Sequence, residues 1–315
     1  MLNLGLLVIT FFLLLAPRAA STAYGNGLRS GSQEESVPST SGVPQATAGV
    51  RRVEKEPRVW EGPDGKPLPF KGPEEILEFL RTAADLEWKS IGEGITGASR
   101  LLLEKDGVRM YAIFRDVQVY KRVMELADGT TAISFRDDAI FECAAFELSR
   151  LLGLYIVPPA VERGMRGKDG TLQAWVPGTM MEKERLEKGT DPPDMWRWLM
   201  QRQVMQIFDN LIYNEDRNLG NILITKDWLL VLIDHTRAFR NYEKLLSPDS
   251  IRYCDRNLLE NLKSLNLQML QEHLGKYLRD TQIRALLKRR DLLVEHVHRL
   301  VQEHGSGDVL FSFYR

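Results

Sequence analysis

Two short apolar runs, Ile222-Leu-Ile-Thr225 and Leu229-Leu-Val-Leu-Ile233, flank the polar turn Lys226-Asp227-Trp228. Runs this short, rich in branched residues and split by a turn, predict a β-hairpin. Its outer ends lie together, so Asn221 and Asp234 meet at one mouth. Upstream, Ser99 to Glu104, the turn Lys105-Asp106-Gly107 and Val108 to Phe114 repeat the strand–turn–strand pattern. Asp138 to Gly153 then shows helical spacing, with Phe141, Ala145, Leu148 and Leu152 on one face and Gly153 as the stop. Ile156 to Val161 and Leu172 to Val176 read as further strands, and Pro177-Gly178 breaks the pattern. From Ser250 to His304 the spacing of Leu258, Leu259, Leu262, Leu286, Leu287, Leu293, Val297, Leu300 and Val301 predicts helices with a shared apolar face, and Gly305 ends the last one.

The polar residues around these elements suggest chemistry. Asp216 precedes Asn221 by the interval D-x-x-x-x-N, and Asp234 follows the hairpin directly. Phosphoryl transfer needs a carboxylate to orient the acceptor hydroxyl and oxygen ligands for the divalent ions that neutralise nucleotide phosphates. Asp216 suits the first task, and Asn221 and Asp234 suit the second. Gly92-Glu-Gly94-Ile-Thr-Gly97 is a G-x-G-x-x-G followed by a strand, whereas a dinucleotide fingerprint would be followed by a helix. That context favours a loop folded over phosphates, where backbone N–H groups approach the anion.

Taken together, Gly92 to Phe239 resembles the atypical kinases of the protein-kinase-like superfamily, among them HipA-type toxin kinases, phosphoinositide kinases and secretory-pathway kinases such as Golgi casein kinase. Phe208-Asp-x-Leu-Ile-x-Asn-x-Asp216-Arg217 and Ile-Asp234-x-x-Arg237-x-Phe239 look especially like the secretory-pathway and HipA-like branch. The resemblance implies an α+β, bilobal fold, with a small β-rich N-lobe over 59–178 and a mainly helical C-lobe over 179–315. It also implies ATP or another nucleoside triphosphate with Mg²⁺ or Mn²⁺. Asp216 would orient the acceptor, Asn221 and Asp234 would hold metal, and Gly92, Gly94 and Gly97 would cover the phosphates. Backbone groups around Val176 would meet the adenine.

Two departures from the family pattern stand out. Arg115 occupies the place of the β3 lysine, and Asn218 stands where several relatives carry histidine. A planar guanidinium fork is not equivalent to an ammonium point charge. Arg115 with Glu142 would steady the phosphates; Glu147 is the alternative carboxylate and Lys121 the alternative cation. The leading expectation is a phosphotransferase acting on a hydroxyl acceptor. A non-catalytic nucleotide-binding scaffold and a nucleotidyl transferase remain the alternatives.

Leu2 to Ala16 is almost wholly apolar, and Pro17 to Ala23 supplies small residues suited to signal peptidase. The expectation is a secretory signal peptide over 1–23, with membrane anchoring as the alternative, then a disordered linker over 24–58 rich in Ser, Gly, Pro, Thr and Glu. The destination is the secretory pathway, periplasm or extracellular space. A formal net charge of −1 gives no reason to expect nucleic acid, and the acceptor class (protein, glycan or small molecule) stays open. Cys143 and Cys254 are the two cysteines, too few for a disulfide-stapled scaffold. His296 and His298 are spaced to point apart on a helix, His235 is expected to pack beside the metal site, and Lys288-Arg289-Arg290 reads as a solvated basic face.

Overall fold

The computed structural model describes residues 58–91, 97–125 and 131–313. The segments expected as leader and linker, apart from Arg58, lie outside the described residues, as do Gly92 and Gly94. No helix among the described residues is long and apolar enough to cross a membrane.

Helix α1 (Pro73–Thr82) begins with a proline, whose missing N–H costs nothing at a helix start, and buries Ile76, Leu77, Phe79 and Leu80. Strands β1 (Ala84–Ser90), β2 (Ser99–Lys105) and β3 (Val108–Arg115) follow. The β2–β3 turn sets Asp106 at φ 54° and Gly107 at φ 79°, the left-handed pair that a tight hairpin needs. Strands β4 (Gln118–Glu125) and β5 (Thr131–Asp138) form a separate two-stranded ladder before helix α2 (Phe141–Leu151). Strands β6 (Ala160–Glu162) and β7 (Thr171–Ala174) complete an antiparallel sheet of order β1-β2-β3-β7-β6.

The strand expected from Ile156 is shorter than its apolar run. Pro158 and Pro159 have no N–H for a ladder, and the Ile156 carbonyl instead accepts from Leu232 N at 2.7 Å. Helix α2 stops where the sequence places the stop, with Gly153 at φ 67° and Leu154 N bonded to Ser149 O at 2.9 Å.

The C-terminal region opens with β8 (Met180–Met181), α3 (Glu182–Glu187) and α4 (Met195–Ile212), the last capped by Asp194, whose carboxylate accepts from Arg197 N at 2.9 Å. Strands β9 (Ile222–Ile224) and β10 (Leu230–Leu232) form the expected hairpin, and β8 adds a third strand on β9. Next come β11 (Cys254–Asp255), α5 (Arg256–Ser264), α6 (Leu267–Leu274), α7 (Asp280–His304), α8 (Ser306–Val309) and β12 (Leu310–Phe311). Asp255 joins the two ends of this region: Oδ1 accepts from Asn257 N at 2.9 Å and Leu258 N at 3.0 Å, and Oδ2 from Phe313 N at 2.7 Å. Cys143 and Cys254 are both buried free thiols.

One expectation fails here. Arg289 does not belong to a solvated basic face; it is 0 % exposed, donating to the carbonyls of Leu211 and Arg240 at 2.8 and 2.9 Å and to that of Tyr242. Desolvation holds its guanidinium down to about 10. Leu286, Leu293 and Val297 supply the expected apolar face of the same helix, but Arg289 falls on that face too.

Candidate functional site

Helix α4 runs directly into the loop that carries Asp216. It ends at Ile212, and Tyr213 turns the chain at φ 52°, with Asn214 N bonded to Asp209 O at 2.9 Å. A tyrosine in the left-handed region is strained. Packing holds it: its ring lies 5.0 Å from Tyr242, and the Arg289 guanidinium stands 5.7 Å over it. The loop is then pinned by a buried pair. Arg217 grips Asp209 through Nε at 3.1 Å and Nη2 at 3.0 Å, while its Nη1 donates to the carbonyls of Asn221 and Ile233, each at 2.8 Å. One guanidinium thereby fixes the spacing of both outer ends of the β9–β10 hairpin.

Those ends meet as the pairing of Leu232 with Ile222 requires, and Ile233 N donates to Asn221 O at 3.2 Å. Asn221 Nδ2 donates to the Asp216 carbonyl at 3.0 Å, tying together the two residues of the D-x-x-x-x-N interval. Asp234 sits at φ 59°, and Thr236 Oγ1 donates to its Oδ1 at 3.3 Å. Burial pushes the Asp234 carboxyl up, while the neighbouring Arg115 charge opposes that shift. Asp216 is in reach of the same carboxyl, and its Oδ2 lies 3.3 Å from Arg237 Nη1. The other arm of Arg237 holds Asp137 of β5 at 3.0 Å.

Arg115 at the end of β3 points to Glu142 of α2, Nη1 to Oε1 at 3.8 Å, with the two residues 7 % and 0 % exposed. Glu142 also accepts from His235 N at 3.0 Å, bonds His235 Nδ1 at 2.9 Å and accepts from Gln173 Nε2 of β7 at 3.2 Å. Burial would raise its carboxyl, but the hydrogen bonds and charges of His235 and Arg115 outweigh that and hold it at about 2. Glu147, the alternative carboxylate, lies elsewhere, 3.8 Å from Arg150, with its carboxyl pushed up by burial. Lys121 stands exposed on β4 opposite Phe135, so it does not replace Arg115.

Arg115, Glu142, Asp216, Asn221 and Asp234 therefore form one neighbourhood, linked through His235 and Arg217. Gly97, at φ 53°, is the described end of the glycine-rich loop, near Asp116. Val176 is buried and lines a cavity of about 410 Å³ with Ile156, Leu229 and Leu230. Sequence reasoning did not single out Asp209, Gln173 or Gly170. A Cβ at Gly170 would collide with the Arg115 carbonyl, so the end of β3 lies where it does only because that position is glycine. The D-R dipeptide at Asp216-Arg217 was the available signal for the pinning pair. Nothing local marked Gln173, whose partner is 31 residues away.

No group of three or more His, Cys, Asp or Glu side chains converges to hold a metal among the described residues. The metal expected at Asn221 and Asp234 would have those two side chains and complete its shell from phosphates and water. The hydra Fam20 structure solved with sugar aligns with TM-score 0.59 and 16% identity over 77% of this chain and 93% of that one. The fold is that of a Fam20-like atypical kinase. Golgi casein kinase aligns with TM-score 0.54 and 16% identity, covering 76% of this chain and 78% of that one. Its structure with Mn/ADP bound aligns with TM-score 0.55 and 15% identity over the same shares, 76% and 78%. No protein-family profile and no curated protein matches the sequence. The kinase-like fold accounts for the sheet-rich N-terminal region, the helical C-terminal region and the place of the β9–β10 hairpin.

Proposed function

We propose that the protein is a metal- and nucleotide-dependent phosphotransferase acting on a hydroxyl acceptor in the secretory pathway. The observation that carries the reading is Asp234, a mostly buried carboxylate lifted by desolvation beside Arg115 and across from Asn221. Asp234 and Asn221 would hold a divalent ion there, and such an ion would offset the carboxylate charge and that of nucleotide phosphates. Asn221 Nδ2 is engaged by the Asp216 carbonyl, so Oδ1 is the atom that would be available to a metal. ATP with Mn²⁺ or Mg²⁺ is the cofactor, in keeping with the Mn/ADP complex of the similar Golgi casein kinase. When bound, the ion neutralises charge that builds on the transferring phosphoryl group.

Arg115 steadies the phosphates while Glu142, fixed by His235 and Gln173, keeps the guanidinium in line. Asp216 orients the acceptor hydroxyl and accepts its proton, with Arg237 holding the carboxylate in place before the acceptor arrives. The apolar leader at 1–23 supports delivery to the secretory pathway. The Arg237–Asp216 pair also favours a second reading, a nucleotide-binding scaffold whose acceptor carboxylate stays permanently occupied.

Titrating ATP and Mn²⁺ while following thermal stability tests the binding half: wild type is stabilised, and Asp234→Ala loses the metal-dependent part of the shift. An undiminished shift in the variant removes Asp234 from the metal site. Transfer from labelled ATP separates enzyme from scaffold. Asp216→Asn retains binding but loses turnover by about 100-fold or more, and a wild-type protein that binds without turnover on protein, glycan or small-molecule acceptors supports the scaffold.

A further inference from the structure

Beyond the Asp216–Asp234 mouth, a cavity of about 340 Å³ is lined by the β4–β5 ladder, the segment after Asp234 and the N-terminal end of α7. Three guanidinium groups belong to its wall: Arg136 from β5, Arg240, and Arg279 at the N-cap of α7. Two carboxylates offset them, Asp138 at 2.7 Å from Arg136 and Glu215 at 2.9 Å from Arg240. Arg279 makes no ion pair among the described residues, so the wall keeps a positive excess. The positive end of the α7 macrodipole adds to it, offset in part by Asp280 in the first turn of that helix.

Arg240 is the decisive group. It is 8 % exposed, clamped over Phe135 at 5.1 Å, with Nε on Glu215 and Nη1 on the Arg136 carbonyl at 3.2 Å. Its Nη2 has no hydrogen-bond partner among the described residues. That arm keeps access to solvent, so it is free to take an acceptor that enters from outside. Forks arriving from three separate elements suit an acceptor with oxygens in several directions, which favours a tetrahedral anion over a planar carboxylate. We propose that this cavity binds a tetrahedral oxyanion, phosphate or sulfate, either free or as an ester. Bound there, it ties the β4–β5 ladder and α7 to the segment that carries Arg237, the partner of Asp216.

The test uses the full-length protein, with thermal stability followed against inorganic phosphate, sodium sulfate and O-phosphoserine, and chloride at matched ionic strength as the reference. The expected result is a saturable stabilisation that chloride does not reproduce. Arg279→Gln, at an exposed side chain whose loss leaves the core intact, then weakens the apparent affinity about tenfold or more, and Arg136→Gln does the same. Tighter binding of inorganic phosphate or sulfate identifies a free anion as the ligand, and tighter binding of O-phosphoserine an ester. A response unchanged in both variants, or matched by chloride, overturns the proposal. Neither variant alters a residue of the nucleotide site, so the outcome stands whether or not the chain transfers phosphoryl groups.

Discussion

Asp209 and Asp234 stand at either end of the segment that carries Asp216, and their surroundings are opposite. Asp209 is gripped by Arg217 at 3.1 and 3.0 Å and bonded by Asn214 Nδ2 at 3.2 Å. Asp234 receives one hydroxyl at 3.3 Å and is left with a raised carboxyl. Both are mostly buried, so burial does not distinguish them. Saturation does. A carboxylate with both oxygens engaged by donors holds the backbone in place; one left short of partners is held ready for a cation that the fold itself does not supply.

The largest effect separating the two falls on the saturated side. Arg217→Met leaves the Asp209 charge buried and the carbonyls of Asn221 and Ile233 without their donor. Breaking a buried pair in this way costs about 3–5 kcal/mol. Chemical denaturation reads it as a lower midpoint, and an unfolding free energy within about 1 kcal/mol of wild type would show that the pair is not what pins the loop.

Glu142 is saturated like Asp209 but borders the site, and its test is pH. Its folded carboxyl is held at about 2, below the ordinary 4.5, so its stabilising contribution is complete above about pH 4.5 and is lost as pH falls through about 2. Glu142→Gln should flatten the acid limb of the stability–pH curve over that window, an effect on the order of 3 kcal/mol. A limb as steep in the variant as in wild type would assign acid sensitivity to other carboxylates.

These contrasts also show what could be read from the chain. The β9–β10 hairpin, the β2–β3 turn, helix α2 and its glycine stop were legible because each follows from spacing within a short window. The meeting of Asn221 with Asp234 followed from hairpin geometry, and the choice of Glu142 over Glu147 followed from the family pattern. Partners far apart in sequence were not legible. The bond from Gln173 to Glu142 depends on how β7 lies against α2, and the burial of Arg289 depends on three backbone carbonyls contributed by two other segments. In a basic triplet, Arg289 looks like its neighbours. The β4–β5 ladder also escaped notice, because Val119, Tyr120 and Val123 are exposed on it and give no core-facing alternation.

Arg115 belongs to both classes, since it is paired with Glu142 yet faces Asp234. Arg115→Ala should weaken nucleotide binding by about 1.5–3 kcal/mol through loss of a charge-assisted contact, while Arg115→Lys keeps most of the affinity. Isothermal titration of nucleotide against the three proteins measures this. Equal affinities for wild type and Arg115→Ala would mean that the guanidinium serves Glu142 alone.

The smallest expected effect has the opposite sign, and it sharpens the contrast between the aspartates most. Asp234 is ionised at neutral pH against the cost of its own burial, with its folded carboxyl raised above the ordinary value. Its charged form therefore works against folding above that raised range, and the penalty fades as pH falls and the group takes up a proton. Asp234→Asn removes the charge and keeps the shape, so in metal-free buffer near neutral pH the variant should be more stable than wild type, by about 0.5–2 kcal/mol, the usual gain where function has held a site away from its stability optimum. The advantage should shrink on acidification. It should also shrink or reverse when Mn²⁺ and nucleotide are added, because only wild type gains from the ion. Paired melts with and without Mn²⁺ and ADP measure both arms, and a variant less stable than wild type in metal-free buffer would place Asp234 with Asp209 among the structural carboxylates.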